Sequence, residues 1–111
     1  MKIKTHLIIK EHWNEYEVKW VGRLIDSKPL LNENGLPTFS IISSNGRIEL
    51  TTFDMKHLVE IAKRNTYPKG RAAETIDKSY IYIKEEKGKE KLLGIITHRH
   101  IRKYAPMYDE V

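Results

Sequence analysis

Apolar and polar residues alternate with a period of two over much of this chain, and one segment switches to a helical period. Residues 2–9 place Ile3, Thr5, Leu7 and Ile9 on one side and Lys2, Lys4, His6 and Ile8 on the other. Residues 15–25 repeat the pattern, with Tyr16, Val18, Trp20, Gly22 and Leu24 opposite Glu17, Lys19, Val21 and Arg23. Such alternation marks half-buried strands. The polar connection 11–14 makes the pair a hairpin. Gly22 inside the second strand predicts a bulge or a sharp bend.

Residues 26–37 read as a connection. Ser27-Lys28-Pro29 and Asn32-Glu33-Asn34-Gly35 are turn chemistry, and Pro37 is excluded from a central strand position. Leu30, Leu31 and Leu36 are expected to pin this loop to the core. Residues 38–43 form a strand. Asn45-Gly46 favours a type I′ turn, and residues 48–50 return.

The helical segment follows. Thr51 and Asp54 fit a capping box with Asp in place of Glu. Met55, Leu58, Val59 and Ala62 fall at i, i+3, i+4 and i+7, and Ile61 widens that stripe. Lys63 and Arg64 suit the negative end of the helix dipole. Asn65 and Pro68 end the helix. A helix over about 51–65 is therefore predicted.

Residues 67–78 read as a loop with one helical turn near 71–76. Residues 79–86 alternate again, Tyr80, Tyr82 and Lys84 opposite Ile81 and Ile83. Lys87-Gly88-Lys89 turns the chain, and residues 92–97 return as a strand. Thr97 would cap a short helix over 98–104 that Pro106 ends. Met107 and Tyr108 lie in the tail.

The predicted order is β-β-β-β-α-β-β-α in a single domain spanning residues 1–111. Hairpins dominate, so the class is α+β with a mostly antiparallel sheet of about six strands. A helix joining two groups of strands resembles the topology of an OB-fold, which would curl the sheet into a small barrel. The OB-fold has five strands, and the resemblance is one of element order with no shared motif.

Composition narrows the classes. A chain of 111 residues buries roughly 65% of its unfolded surface, enough to fold without a metal or a disulfide. The absence of cysteine removes disulfides, thiolate metal sites and cysteine nucleophiles. The N-terminal apolar run is too short for a signal peptide, and no run approaches membrane-spanning length. A cytoplasmic protein with no membrane partner is the expectation. The net charge of +5 is unevenly placed. Residues 1–62 carry eight basic and eight acidic side chains, whereas residues 63–111 carry twelve and seven. That asymmetry points to an acidic partner such as nucleic acid.

Candidate chemistry is sparse. Lys69-Gly70-Arg71 has one glycine and makes no phosphate cradle. His98 and His100 would share a face on a strand but diverge on the predicted helix. No carboxylate at ligand spacing completes a metal site, and the histidines read as exposed groups. No serine lies in a nucleophile elbow, and Glu15/Glu17 and Glu85/Glu86 read as surface charges. No catalytic residue, cofactor site or metal site is assigned. An enzyme without a recognisable motif stays as a lesser alternative.

Two binding classes lead. For a protein partner, Trp13 is an anchor if exposed and a lid on the core if buried; Leu30, Leu31 and Leu36 complete that candidate interface, and the sheet edges offer a homo-oligomer. For single- or double-stranded nucleic acid, Arg64, Lys69, Arg71, Lys84, Lys87, Arg99, Arg102 and Lys103 would hold phosphates and Tyr80 or Tyr82 would stack bases. The second class requires the basic groups to meet on one surface. The preferred expectation is a non-catalytic protein-interaction module (adaptor, inhibitor or subunit), with nucleic-acid binding as the alternative.

Overall fold

The computed structural model describes residues 6–11, 14–23, 26–66 and 75–100. Six strands and one helix follow one another as β1 (His6–Glu11), β2 (Asn14–Trp20), β3 (Thr38–Ser43), β4 (Gly46–Thr51), α1 (Met55–Asn65), β5 (Thr75–Lys84) and β6 (Glu90–His100). All pairings are antiparallel, in the spatial order β1-β2-β6-β5-β3-β4. The α+β class and the antiparallel sheet are as predicted. The curled barrel is not: β1 and β4 are opposite edges of an open sheet. Among the described residues, no helix is long and apolar enough to cross a membrane.

The helix covers one side of the sheet, and period-2 alternation decides which residues meet it. Tyr16 and Val18 of β2, Leu93 and Ile96 of β6, Ile81 and Ile83 of β5, and Phe39 and Ile41 of β3 are buried with Leu58 and Ala62 of α1. Met55, Val59 and Ile61 pack against this cluster, as do Ile48 and Leu50. Burying each large side chain contributes roughly 1.5–3 kcal/mol, so this layer is what holds α1 to the sheet. A register shift between Ile81 and Tyr82 leaves Leu93 without an opposite residue in β5. Such a bulge re-aims a side chain, and Leu93 lies in the core. Gly94 follows because the Trp20 ring lies over it; a Cβ there would stand 2.7 Å from Trp20 Cε3.

Several local expectations change. Asp54 alone is the helix N-cap, accepting from the Lys56 and His57 amides. Thr51 is the last residue of β4, and Thr52 instead accepts from the Asp54 amide, 2.9 Å away. Asn65 is still helical; its side chain donates to the Ile61 carbonyl, and Thr66 is the C-cap. The β3–β4 connection is Ser44-Asn45, not Asn45-Gly46, because Ser43 pairs with Gly46. Gly46 alone has a positive φ there, at 117°, whereas a type I′ turn needs two. The second strand stops at Trp20, and the Val21 and Gly22 amides both donate to the Leu93 carbonyl. A 3-10 turn over Glu86–Gly88 carries the predicted bend, with Lys87 at φ 74°.

The helix predicted for 98–104 is contradicted at its start, since His98–His100 continue β6 in register with β2 and β5. Sheet pairing on both sides overrides the weak cap signal of Thr97. The loop with a helical turn expected over 67–78 is contradicted at its end, where β5 already begins at Thr75 and pairs with β6. The rest of that loop, the rest of the 98–104 helix, residues 2–5 of the first strand, Leu24, Met107 and Tyr108 lie outside the described residues.

Candidate functional site

Alternation that sends Ile81 and Ile83 toward α1 sends Tyr80, Tyr82 and Lys84 to the opposite side. No described element covers that side. The strand registers arrange it in rows. One row runs His6, Lys19, Ile95, Tyr80, Ile42, Arg47 from β1 to β4. The next holds Leu92, Tyr82, Ser40 and Glu49. On the other flank lie Ile8, Glu17, Thr97 and Lys78. The centre of the open face is therefore apolar and its borders are charged. Tyr80 is 37% exposed and Ile8 49%.

Two ion pairs cross β3 on this face. Lys84 Nζ lies 2.9 Å from both carboxylate oxygens of Glu49. Arg47 donates to Ser40 Oγ at 3.0 Å and to Glu90 at 2.6 Å. The hydrogen bond from Arg47, then that from Ser40, holds the Glu90 carboxyl below its ordinary value, and Glu90 raises Arg47 in return. These long side chains lie over Ser40, which is fully buried. At the other border, the hydrogen bond with His6 at 2.7 Å holds Glu17 below the ordinary carboxylate value.

The nucleic-acid candidates do not converge where they are described. Lys84 is committed to Glu49. Lys87 stands at the exposed tip of the β5–β6 turn. Arg99 lies beside Glu15 near the far end of the same hairpin, about 30 Å away at 3.3 Å per residue. Arg64 sits on the helix layer, across the sheet from Arg99, and its neighbour Lys63 is tied to Glu11 and Glu60. Tyr82 is half-buried, whereas Tyr80 is accessible. Lys69, Arg71, Arg102 and Lys103 lie outside the described residues.

Of the protein-interface candidates, Leu30 and Leu31 are about half exposed, at 49% and 50%, contrary to their expected role as loop anchors. The loop is instead fixed by polar groups. Asn32 Oδ1 accepts from the amides of Asn34 and Leu36, each at 2.9 Å. The Leu30 amide donates to the Lys84 carbonyl, and the Pro29–Glu85 bridge puts Leu30 on the open side beside Lys84. Leu36 is half-buried. Trp13 lies outside the described residues. Ile42, Leu92 and Ile95, which belong to none of the candidate interfaces predicted from sequence, line the open face. The available signal was that Ile41-Ile42 and Leu92 to Ile96 are apolar on both sides of their strands, unlike a strand with one wet face.

A second cluster gathers polar groups at the C-terminal end of α1. His98, read as exposed from sequence, is only 4% exposed. Its ring stacks on Tyr16 with centroids 4.4 Å apart. The Thr66 carbonyl accepts from its Nδ1, and the Asn14 side-chain amide lies 2.8 Å from Nε2. Thr66 donates its hydroxyl to the Ala62 carbonyl and accepts from Ser79. The Asn65 carbonyl accepts from Ser43 Oγ and Asn45 Nδ2, so the β3–β4 turn satisfies the end of the helix. Lys63 lies over the Tyr16 ring at 5.4 Å. Burial first, then the Glu11 charge, raises the Tyr16 phenol above its ordinary value. Hydrogen bonding to Glu11 raises Lys63. With both ring nitrogens engaged internally, His98 works as a clamp between α1, β2 and β6.

Beside this cluster, Ile42, Ser43, Ser44, Asp77, Lys78 and Tyr80 line an open depression of about 510 Å³. Ser44 donates to Asp77 Oδ1 at 3.0 Å. Among the described residues, no group of three or more His, Cys, Asp or Glu side chains is placed to hold a metal ion. Comparison with protein-family models, with curated proteins and with solved structures gave no match for the chain.

Proposed function

We propose that the chain is a small non-catalytic binding module that takes a partner protein on the open face of its sheet, as an adaptor, inhibitor or subunit. The observation behind this is the row Ile95–Tyr80–Ile42, apolar across three adjacent strands and bordered by Lys19 and Arg47. An apolar centre with a charged rim is the usual anatomy of a protein interface, and an aromatic residue at its centre is a typical anchor. Leu30 extends the apolar surface past Lys84. Capture from extract should retain a partner with the wild type and with Arg64→Glu, and lose it with Tyr80→Glu and Ile42→Lys. Loss in Arg64→Glu but not in the open-face variants would sink the assignment.

Tyr80 also favours a second reading. Tyr80 is exposed, with Lys78 two residues along β5 and Lys19 two strands across on the same face, and a stacking surface near cations is what single-stranded nucleic acid uses. Titration with single- and double-stranded oligonucleotides at low and moderate salt tests it. No binding at low salt ends that reading; binding that weakens steeply with salt and is lost in Tyr80→Ala carries it.

A further inference from the structure

We propose that the free edge of β1 pairs antiparallel with β1 of a second copy of this chain, joining the two sheets into one. This interface is distinct from the open-face site, so either can fail alone. The two sheet edges are not alike. Because Ser43 pairs with Gly46 across a two-residue connection, even-numbered residues of β4 bond to β3 and odd-numbered ones turn their backbone outward. Those outward residues are Arg47, Glu49 and Thr51, polar side chains of the kind that protect an edge. In β1 the closing pair is Glu11 and Asn14, so Leu7, Ile9 and Glu11 bond to β2. His6, Ile8 and Lys10 turn their N–H and C=O groups outward, and the middle one is an isoleucine. Among the described residues, nothing pairs with that edge.

The edge is complementary to itself in one register. A two-fold axis at Ile8 sets Ile8 against Ile8 and His6 against Lys10, and all three outward residues of each copy then bond across the junction. On the helix side, Leu7 meets Ile9 of the other copy. The row Val18–Leu7–Ile9–Tyr16 then runs unbroken from one core into the next, and Leu7, 37% exposed in the single chain, becomes covered. On the open side, Lys10 stands two strands and two residues away from Glu17 of the other copy. That is the offset at which Lys84 already reaches Glu49 across β3. Shifting the axis to Ile9 would put Leu7 against Glu11, and shifting it to Lys10 would oppose two lysines. The hydrophobic pattern thus selects the register.

Light scattering on the full chain over a range of concentrations tests the proposal. The expected mass rises from the 13.1 kDa of one chain to twice that value. Ile8→Lys, a change at a half-exposed site, should weaken association by about tenfold or more, which is 1.4 kcal/mol per factor of ten, while circular dichroism stays native. Since the chain has no cysteine, Ile8→Cys supplies a separate readout: a short bis-maleimide should link two copies at position 8, and not in Arg47→Cys at the other edge. A chain that stays monomeric at all concentrations overturns the proposal. So does a dimer unaffected by Ile8→Lys, or one that links at position 47 and not at 8.

Discussion

Tyr16 lies flat against His98, with ring planes 19° apart and centroids 4.4 Å apart, although 82 positions separate them in the chain. The contact fastens β2 to β6, and through Thr66 it fastens both strands to the end of α1. His98→Ala removes the stack and the ring-nitrogen contacts, and takes from the Thr66 carbonyl its hydrogen bond to the ring. Stacking contributes about 0.5–1.5 kcal/mol, and each buried polar group left unsatisfied costs about 1–3 kcal/mol. The expected loss is about 2–4 kcal/mol, read as a lower urea midpoint. A loss under about 0.5 kcal/mol, the size of an ordinary surface change, would refute the clamp.

The same pair sets an alkaline limit. The Tyr16 proton is held more tightly in the fold than in the unfolded chain, whose phenol titrates near 10. Its contribution is therefore complete below that value and is lost as pH rises through the higher folded value. Lys63, raised by Glu11, is lost in the same direction. Unfolding midpoints between pH 8 and pH 11 should fall more in the wild type than in Tyr16→Phe, with the residual slope in the variant coming from Lys63. Parallel curves would show that the phenol is not responsible.

Trp20 occupies the space that a side chain at position 94 would need. Gly94→Ala must push the indole off β6 or shift the strand, and overpacking of this kind costs about 1–3 kcal/mol. Denaturation should show that loss, together with a changed Trp emission in the folded state. Gly35→Ala makes a useful contrast: nothing lies within 4 Å of its Cβ, so its penalty comes only from φ at 76°.

The Glu49–Lys84 pair spans β3 at the surface, with side chains 46% and 32% exposed. A double-mutant cycle through Glu49→Gln and Lys84→Met should give a coupling of about 0.2–1 kcal/mol that shrinks in high salt. The pair's larger consequence concerns binding, because it neutralises a lysine that would otherwise be free for phosphate. Under the nucleic-acid reading, Glu49→Gln should strengthen oligonucleotide binding. No change would mean that Lys84 takes no part.

The sequence alone determined the elements. Period-2 alternation identified β1, β2, β4 and β5, apolar runs next to turn signals identified β3 and β6, and the Met55, Leu58, Val59 and Ala62 stripe identified α1, because each regular pattern follows from how a strand or a helix divides its side chains between two sides. Ends were less legible: Thr51 and Asn65 were each displaced by a residue or more from their expected cap roles, since caps depend on local geometry that neighbouring positions can equally supply. Tertiary structure decided what a one-dimensional pattern does not contain. It placed β1 and β4 at opposite edges, so the sheet stays open. It turned His98 from an exposed histidine into a buried clamp, because pairing with β2 and β5 extended β6 through a segment with weak helix signals. It also separated Lys87, Arg99 and Arg64, close in no sense but composition, onto two ends and two sides of the fold. Charge asymmetry along a chain is additive in sequence, but a surface potential depends on where the folded backbone carries each charge.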